Sequence, residues 1–233
     1  MSGMGGKRTF SNGDIRRFAM PSGLTPMLVR AWLEARSVAR GLPAPVDDYD
    51  GFRVDTRNSA ETARWVFPEM KPGLIQLGQT VSQPGHLIKL CGGLDELRAV
   101  LPARWQPHLP GYFIARTRRV AQSNVPEGYT AEVVTDGARA SARIFARDGT
   151  VAASGYAAET DRAFIYDRIE TNPQHRRAGL GRALMSVLRN AKTRPSTPEL
   201  LVATEAGRKL YEAIGWQMIS VYSTASIPDA DPQ

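Results

Sequence analysis

The segment spanning residues 167–185 constrains the fold of this chain more than any other part of the sequence. It runs from a strand-like stretch through Pro173 into a short basic loop with two glycines, and then into an amphipathic helix. The apolar residues of this helix follow the i, i+3, i+4, i+7, i+8 spacing of a core-facing surface, namely Leu180, Ala183, Leu184, Val187 and Leu188. Because the helix follows the loop directly, its N-terminus points at whatever the loop holds.

The loop itself has the residue types of an anion-binding turn. Gly179 and Gly181 lack Cβ, so the backbone can approach a ligand closely and its N–H groups can converge on an anion. Three arginines add positive charge with donor geometry suited to phosphate oxygens: Arg176, Arg177 and Arg182. The segment alone is equally compatible with an ordinary turn carrying solvated arginines, so the flanking sequence has to decide.

Two ordered motifs make that decision, and they resemble the acetyl-CoA-binding region of the GNAT superfamily of N-acetyltransferases. The first is Ile169-x-Thr171-x-Pro173-x-x-Arg176-x-x-Gly179-x-Gly181-x-x-Leu184. The second follows as Leu200-Leu201-Val202-Ala203-Thr204 and then Ala206-Gly207-x-x-Leu210-Tyr211-Glu212-x-x-Gly215-Trp216. The resemblance covers about residues 110–228. Within this range, Asp136-Gly137 and Asp148-Gly149 are hairpin-turn signals between the strand-like runs 131–135, 142–147 and 151–158. The predicted order continues with a strand over 163–171, the loop and its helix, and strands over 200–203 and 216–224.

The resemblance implies an α/β fold with a mixed, largely antiparallel GNAT-like sheet flanked by helices. It also implies transfer of an acyl group, most simply acetyl from acetyl-CoA, to a primary amine without a metal. By similarity, the CoA-binding residues are Ile169, Thr171, Arg176, Arg177, Ala178, Gly179, Gly181, Arg182 and Thr204. Thr204 stands where many members of the superfamily carry an asparagine, which leaves that one contact open.

The resemblance also suggests catalytic residues. Tyr211 matches the frequent general acid that protonates the departing CoA thiolate, although a tyrosine packed on its helix is the alternative. Asp167 and Glu170 are candidates for the general base. Strand alternation places these two on opposite faces, and Asp167 on the same face as Ile169 and Thr171. Either carboxylate could instead pair with a neighbouring arginine, and a chain of waters could serve as the base.

Composition and the positions of proline and glycine divide the chain into four parts. We expect a flexible N-terminus over residues 1–23, an N-terminal α/β region over 24–108, the GNAT-like domain over 109–228 and a tail over 229–233. In the α/β region, Thr25-Pro26 and Gly41 frame a helix, Asn58-x-x-Glu61 resembles a capping box for a helix through Phe67, and residues 74–77 read as a short strand. This region either supplies a wall of the domain or forms a degenerate second GNAT-like unit.

Bulk properties narrow the possible partners. The net charge is +7, but the basic residues are scattered, which argues against a nucleic-acid platform. No apolar run is long enough to cross a bilayer, and the single cysteine excludes an internal disulfide framework, so we expect a cytoplasmic protein. The expected acceptor is a small-molecule or peptide amine, and a homodimer is compatible with the sequence. The rival functions are a non-catalytic acyl-CoA sensor and a protein whose N-terminal region binds a macromolecule that it acetylates.

Overall fold

The computed structural model describes residues 23–228, except residues 57, 59 and 119–121. The predicted flexible N-terminus (apart from residue 23) and the predicted tail (residues 229–233) lie outside the described residues. The described part contains helices α1 (Pro26–Arg40), α2 (Pro72–Thr80), α3 (Leu94–Val100), α4 (Leu180–Arg189) and α5 (Glu205–Ala213). None of these helices combines the length and hydropathy that a bilayer-spanning segment needs.

The described part also contains twelve strands. The first six are β1 (Val46–Asp48), β2 (Gly51–Asp55), β3 (Ala63–Phe67), β4 (His86–Leu90), β5 (Gln106–Pro107) and β6 (Gly111–Arg116). The others are β7 (Tyr129–Asp136), β8 (Arg139–Ala146), β9 (Val151–Glu159), β10 (Phe164–Thr171), β11 (Glu199–Ala203) and β12 (Trp216–Ser226). The predicted mixed, largely antiparallel sheet flanked by helices is confirmed.

The described sheet has β12 and β6 at its centre, with four strands on one side and five on the other. Its order is β1-β2-β3-β4-β12-β6-β11-β10-β9-β8-β7, and β5 pairs with β12 at the side. Moving outward from the β6–β12 pair, each half contains one parallel pair, β3–β4 or β10–β11, whose strands are connected through a helix, α2 or α4. Strand β6, which ends the first half of the chain, lies between β11 and β12 of the second half. The two halves therefore exchange their last strands and share one sheet.

Helix α1 packs across both halves. Its start and end were readable in the sequence: the Thr25 side chain accepts from the backbone N–H of Leu28, Pro26 occupies the first turn, and Gly41 ends the helix at φ 64°. Trp32 on its buried face makes edge-on contacts with Phe113 of β6 (5.1 Å between ring centroids) and Tyr222 of β12 (5.7 Å). These contacts hold α1 over the centre of the sheet.

Two sequence predictions in the N-terminal region are wrong. The helix expected up to Phe67 is instead strand β3, because Asn58 accepts from the N–H groups of Ala60 and Glu61 in a turn that leads into an extended segment. All five residues of β3 are buried, so its pattern lacks the alternation that identifies a half-exposed strand. The strand expected at residues 74–77 lies within α2, where Pro72 begins the helix.

The second half agrees with its predicted order. Two hairpins join β7, β8 and β9, with Gly137 at φ 56° and Gly149 at φ 84° in the turns. Helix α4 then buries the predicted stripe against β8, β9 and β10, as Leu180, Ala183, Leu184 and Leu188 are each at most 1% exposed. The helix fits closely because Gly155 of β9 lies under Ile169, Leu184 and Leu188.

Candidate active site

The parallel strands β10 and β11 diverge soon after they pair. Their register covers only Phe164 opposite Glu199 and Ile165 opposite Leu200, although both strands continue beyond these residues. A register shift between Asp167 and Glu170 bends β10 away, with Arg168 at φ 52°. The diverging backbone edges carry N–H and C=O groups that no neighbouring strand pairs in this register, which suits an extended polar ligand.

The register shift also changes which residues share a face. Asp167 contacts Arg36 and Arg40 of α1 on one side of the sheet. Ile169 packs on the opposite side, where a Cβ built on Gly155 would lie 2.4 Å from its Cδ1. Strand alternation predicted Asp167 and Ile169 on one face, and that prediction is wrong because the bulge adds a residue and reverses the alternation.

The predicted anion loop connects β10 to α4. Pro173–His175 form one 3-10 turn, and Asn172 caps it by accepting from the N–H of Gln174. Arg177 (φ 68°) and Gly179 (φ 77°) are both left-handed, and no side chain caps α4. Its first turn carries no acidic residue either, so the N–H groups and the positive end of the helix dipole stay available to an anion.

The remaining predicted loop residues surround this helix N-terminus. The exposed side chains there are Arg176, Arg177 and Arg182. A Cβ built on Gly181 would lie 3.1 Å from Leu210 of α5 and 3.9 Å from the Thr171 hydroxyl, so α4 and α5 approach closely at this point. The loop, the end of β10 and the face of α5 therefore meet at this point.

The residues predicted on α5 occupy different environments. Thr204 caps the helix, because its hydroxyl accepts from the N–H of Gly207 at 3.2 Å. Tyr211 is only 5% exposed and lies 5.9 Å from Trp216 between ring centroids. Burial raises the pKa of Tyr211, which weakens the hydroxyl as an acid. The catalytic assignment of Tyr211 stays a prediction.

The two candidate bases also differ. Asp167 is 10% exposed and accepts from Arg40 at 2.6 and 3.0 Å, with Arg36 and Arg168 also within ion-pair distance at 3.6 and 3.3 Å. Burial alone would raise the pKa of Asp167, but the Arg40 hydrogen bonds and the surrounding guanidinium charges outweigh it and lower the pKa. Glu170 is exposed near the end of β10. Both assignments stay predictions, and Asp167 has the environment of an ion-pair partner.

A cleft opens where β10 and β11 have diverged, on the α1 side of the sheet. Its volume is about 860 Å³, within the range of small-molecule sites. It extends from α1 over β4, β6 and β12 to the first turn of α5. The polar and aromatic side chains lining it include Arg36, Arg40, Lys89, Tyr112, Asp167, Arg168, Thr204, Glu205 and Tyr222. Among the described residues, no group of three or more His, Cys, Asp or Glu side chains is placed to hold a metal ion.

Several cleft residues were not singled out as site residues from the sequence. Arg36 and Arg40 follow Trp32 at i+4 and i+8, so they extend the buried stripe of α1 with charged side chains. That placement could have indicated a buried polar site, because arginines in line with the core-facing side of a helix need a partner. Lys89 and Tyr222 lie on strands with no comparable local signal.

The site therefore combines an uncapped helix N-terminus, a pair of parallel strands that diverge, and a cleft on the α1 side of that divergence. No protein-family model matches the chain, and a search of curated proteins found no significant sequence match. The solved structures are more informative. A GCN5-related N-acetyltransferase from Kribbella flavida matches with a TM-score of 0.63 at 14% identity, covering 90% of this chain and 97% of that one.

A second structure agrees. A GCN5-related N-acetyltransferase-like protein from Streptococcus suis matches with a TM-score of 0.55 at 11% identity, covering 88% of this chain and 99% of that one. The chain therefore has the fold of the GCN5-related N-acetyltransferases. The sequence resemblance covered about residues 110–228, whereas the structural likeness extends over most of the chain.

Proposed function

We propose that this protein is an acyl-CoA-dependent N-acyltransferase that transfers acetyl from acetyl-CoA to a primary amine. The observation that carries the proposal is the β10–β11 divergence, which has an uncapped helix N-terminus at one end and a cleft on the other side. An acyl-CoA has a pyrophosphate, an extended polar arm and a reactive thioester, and these three features correspond to the three parts of the site.

In the proposed arrangement, the pyrophosphate binds the N–H groups of the first turn of α4, with Arg176, Arg177 and Arg182 supplying charge. The backbone of residues 169–171 pairs with the pantetheine arm, and Thr204 borders the same opening. The acceptor amine enters from the cleft. Its neutral nitrogen attacks the thioester carbonyl, the C–N bond forms and the C–S bond breaks. The sulfur leaves as a thiolate and the nitrogen loses one proton.

The protein contributes mainly orientation and backbone donors aimed at the oxygen that becomes negatively charged. We keep Tyr211 as the proposed source of the proton for the thiolate, and Glu170 as the more available of the two proposed bases. Asp167 is a weaker base, because three arginines hold its charge.

The environments of Tyr211 and Asp167 favour a second candidate function, a non-catalytic acyl-CoA sensor. One group is buried and the other is held in ion pairs, so neither is prepared for proton transfer in this conformation. A sensor binds acyl-CoA through the same loop but releases no thiol.

The binding part of the proposal is tested with a matched pair of glycine variants. Gly179 and Gly137 both have positive φ and open space around the missing Cβ, so Gly179→Val and Gly137→Val introduce comparable backbone strain. Only Gly179 lies at the N-terminus of α4. We expect Gly179→Val to weaken acetyl-CoA binding in calorimetric titrations at least tenfold, and Gly137→Val to leave it unchanged. Equal affinities in both variants would contradict the loop assignment.

Turnover separates the two candidate functions. Release of free CoA thiol is followed colorimetrically with a panel of amines. An enzyme releases thiol with at least one amine, whereas acetyl-CoA binding without turnover identifies the sensor. In an active protein, Tyr211→Phe is expected to lower kcat, and an unchanged kcat removes Tyr211 as the acid.

A further inference from the structure

We propose that the acceptor amine of this protein carries a carboxylate, and that this carboxylate binds in the cleft between Arg36 of α1 and Lys89 of β4. The inference rests on the proposed N-acyltransferase function and names the substrate class for that site. It is argued from the charges lining the cleft, from the contacts those charges already make, and from a buried hydroxyl beside them.

The cleft carries more cations than its own carboxylates neutralise. Its described lining has four basic side chains and two acidic ones: Arg36, Arg40, Lys89 and Arg168 against Asp167 and Glu205. Both acids are already engaged. Arg40 binds both oxygens of Asp167, and Glu205 accepts from Arg208 on its own helix at 2.8 and 3.2 Å. The surplus positive charge therefore faces the cavity.

Arg36 and Lys89 are the two largely buried cations of the described lining that have donors left, whereas Arg168 is 41% exposed and pairs with Asp167 at 3.3 Å. Arg36 reaches Asp167 only at 3.6 Å, because Arg40 occupies the near positions on that carboxylate. The Lys89 ammonium donates to the Thr224 hydroxyl at 3.3 Å, and no carboxylate in the described part of the chain lies within ion-pair distance of it. A guanidinium and an ammonium lining one cavity suit a carboxylate, which has two acceptor oxygens.

The nearest additional acid does not neutralise this pair. Glu61 acts electrostatically on both Lys89 and Arg36, but it forms an ion pair with Arg64. Burial and the charges of Arg36 and Arg40 lower the pKa of Lys89 to about 8 against the attraction of Glu61. Burial also lowers the pKa of Arg36. Both shifts show cations that are less well compensated in the protein than in water.

A third group next to these cations is unsatisfied. Tyr222 lines the cleft, is 5% exposed, and has a buried hydroxyl without a hydrogen-bond partner among the described residues. Its charge interactions include Arg36. A buried hydroxyl left unpaired is costly, so a polar ligand group at this end of the cleft is favoured over an apolar one.

The test uses pairs of amines that carry either a carboxylate or the matching carboxamide, with rates expressed per neutral amine because the carboxamide lowers the pKa of a nearby ammonium. Glycine, β-alanine and 4-aminobutyrate are each compared with their carboxamides as acceptors, using the full chain and saturating acetyl-CoA. We expect kcat/KM to favour the carboxylate of at least one pair about tenfold or more, since a hydrogen bond to a charged group contributes on that scale. Equal rates for every pair would overturn the carboxylate subsite while leaving the acyltransferase function standing.

Variants then assign the preference to the proposed residues. Lys89→Met and Arg36→Met are each expected to reduce the carboxylate preference, measured as the ratio of carboxylate to carboxamide kcat/KM, at least tenfold. Lys89→Arg should retain the preference. The control is Lys71→Met, because Lys71 pairs with Glu69 on the surface, outside the cleft. A preference that survives both Lys89→Met and Arg36→Met would place the carboxylate elsewhere and overturn the assignment.

A binding measurement distinguishes failure of the carboxylate subsite from failure of the proposed N-acyltransferase function. The same amino acids and carboxamides are titrated calorimetrically into protein saturated with CoA. Carboxylate binding that is lost in Lys89→Met supports the subsite even if no thiol release is found. Inorganic phosphate is included as a competitor, and displacement by phosphate that is stronger than displacement by the carboxylates would overturn the choice of a carboxylate.

Discussion

Replacing Lys89 should stabilise the protein while impairing its proposed substrate recognition. The pKa of Lys89 falls from 10.5 to about 8, mainly through burial. At roughly 1.4 kcal/mol per pKa unit, this shift corresponds to about 3 kcal/mol of free energy against the charged folded state. Solvent reaches part of the side chain and the ammonium donates to Thr224, so screening reduces the effect and we expect about half of it.

The sign of this effect depends on pH in a defined way. At pH 7 Lys89 is charged in both the folded and the unfolded chain, so the folded state bears the full penalty. As pH rises from about 8 to 10.5, the folded protein releases its proton before the unfolded chain does, and the penalty disappears. The stability of the wild type should therefore rise through this interval relative to Lys89→Met.

Thermal melts at pH 7, 9 and 10.5 test this reasoning. At pH 7 we expect Lys89→Met to have a Tm about 4 °C above the wild type, and we expect the difference to shrink towards zero at the highest pH. Lys71→Met is the matched control and should show no gain at any pH. A lower Tm for Lys89→Met at pH 7, or a difference that does not change with pH, would refute the conclusion that burial of the charged Lys89 side chain destabilises the folded protein.

Three further predictions concern stability. Asp167→Asn should lower the free energy of unfolding by about 3 kcal/mol at neutral pH; because the pKa of Asp167 is lowered, urea titrations should show the difference fading as pH falls below 4. Gly155→Val places a Cβ 2.4 Å from Ile169 and should cost about 1–3 kcal/mol by overpacking under α4, measured by urea unfolding. Glu199→Gln removes a buried carboxylate that accepts from two arginines and the Tyr166 hydroxyl. Its Tm should fall by several degrees, and an unchanged Tm would contradict that role.

The elements that the sequence predicted well are those decided by neighbours in the chain. Helix α1 has its capping residues, Thr25 and Gly41, within its own segment. Helix α4 has a complete apolar stripe after a glycine that adopts a left-handed conformation. The hairpin turns at Gly137 and Gly149 follow the same logic, because a positive φ is a local requirement. Such signals act within a few residues and can be read from the amino-acid sequence.

The wrong predictions occur where tertiary contacts overrule local preference. Residues 63–67 form a strand because β2 and β4 flank them on both sides and both of their faces are covered. The bulge between Asp167 and Glu170 reverses strand alternation at the site, at the point where β10 and β11 diverge. Neither effect leaves a pattern in the residues concerned.

By itself, the sequence contained the two motifs that resemble the GNAT superfamily. It also determined the loop before α4 and the order of elements in the second half, because these depend on backbone freedom, helix capping and periodicity within single segments. Only the tertiary structure showed that the first half contains a matching β–α–β unit and that Arg36, Lys89 and Tyr222 line one cleft with β10. Those three residues lie on α1, β4 and β12. Their proximity follows from the exchange of strands β6 and β12, which brings together segments that are distant in the chain and have no local signal in common.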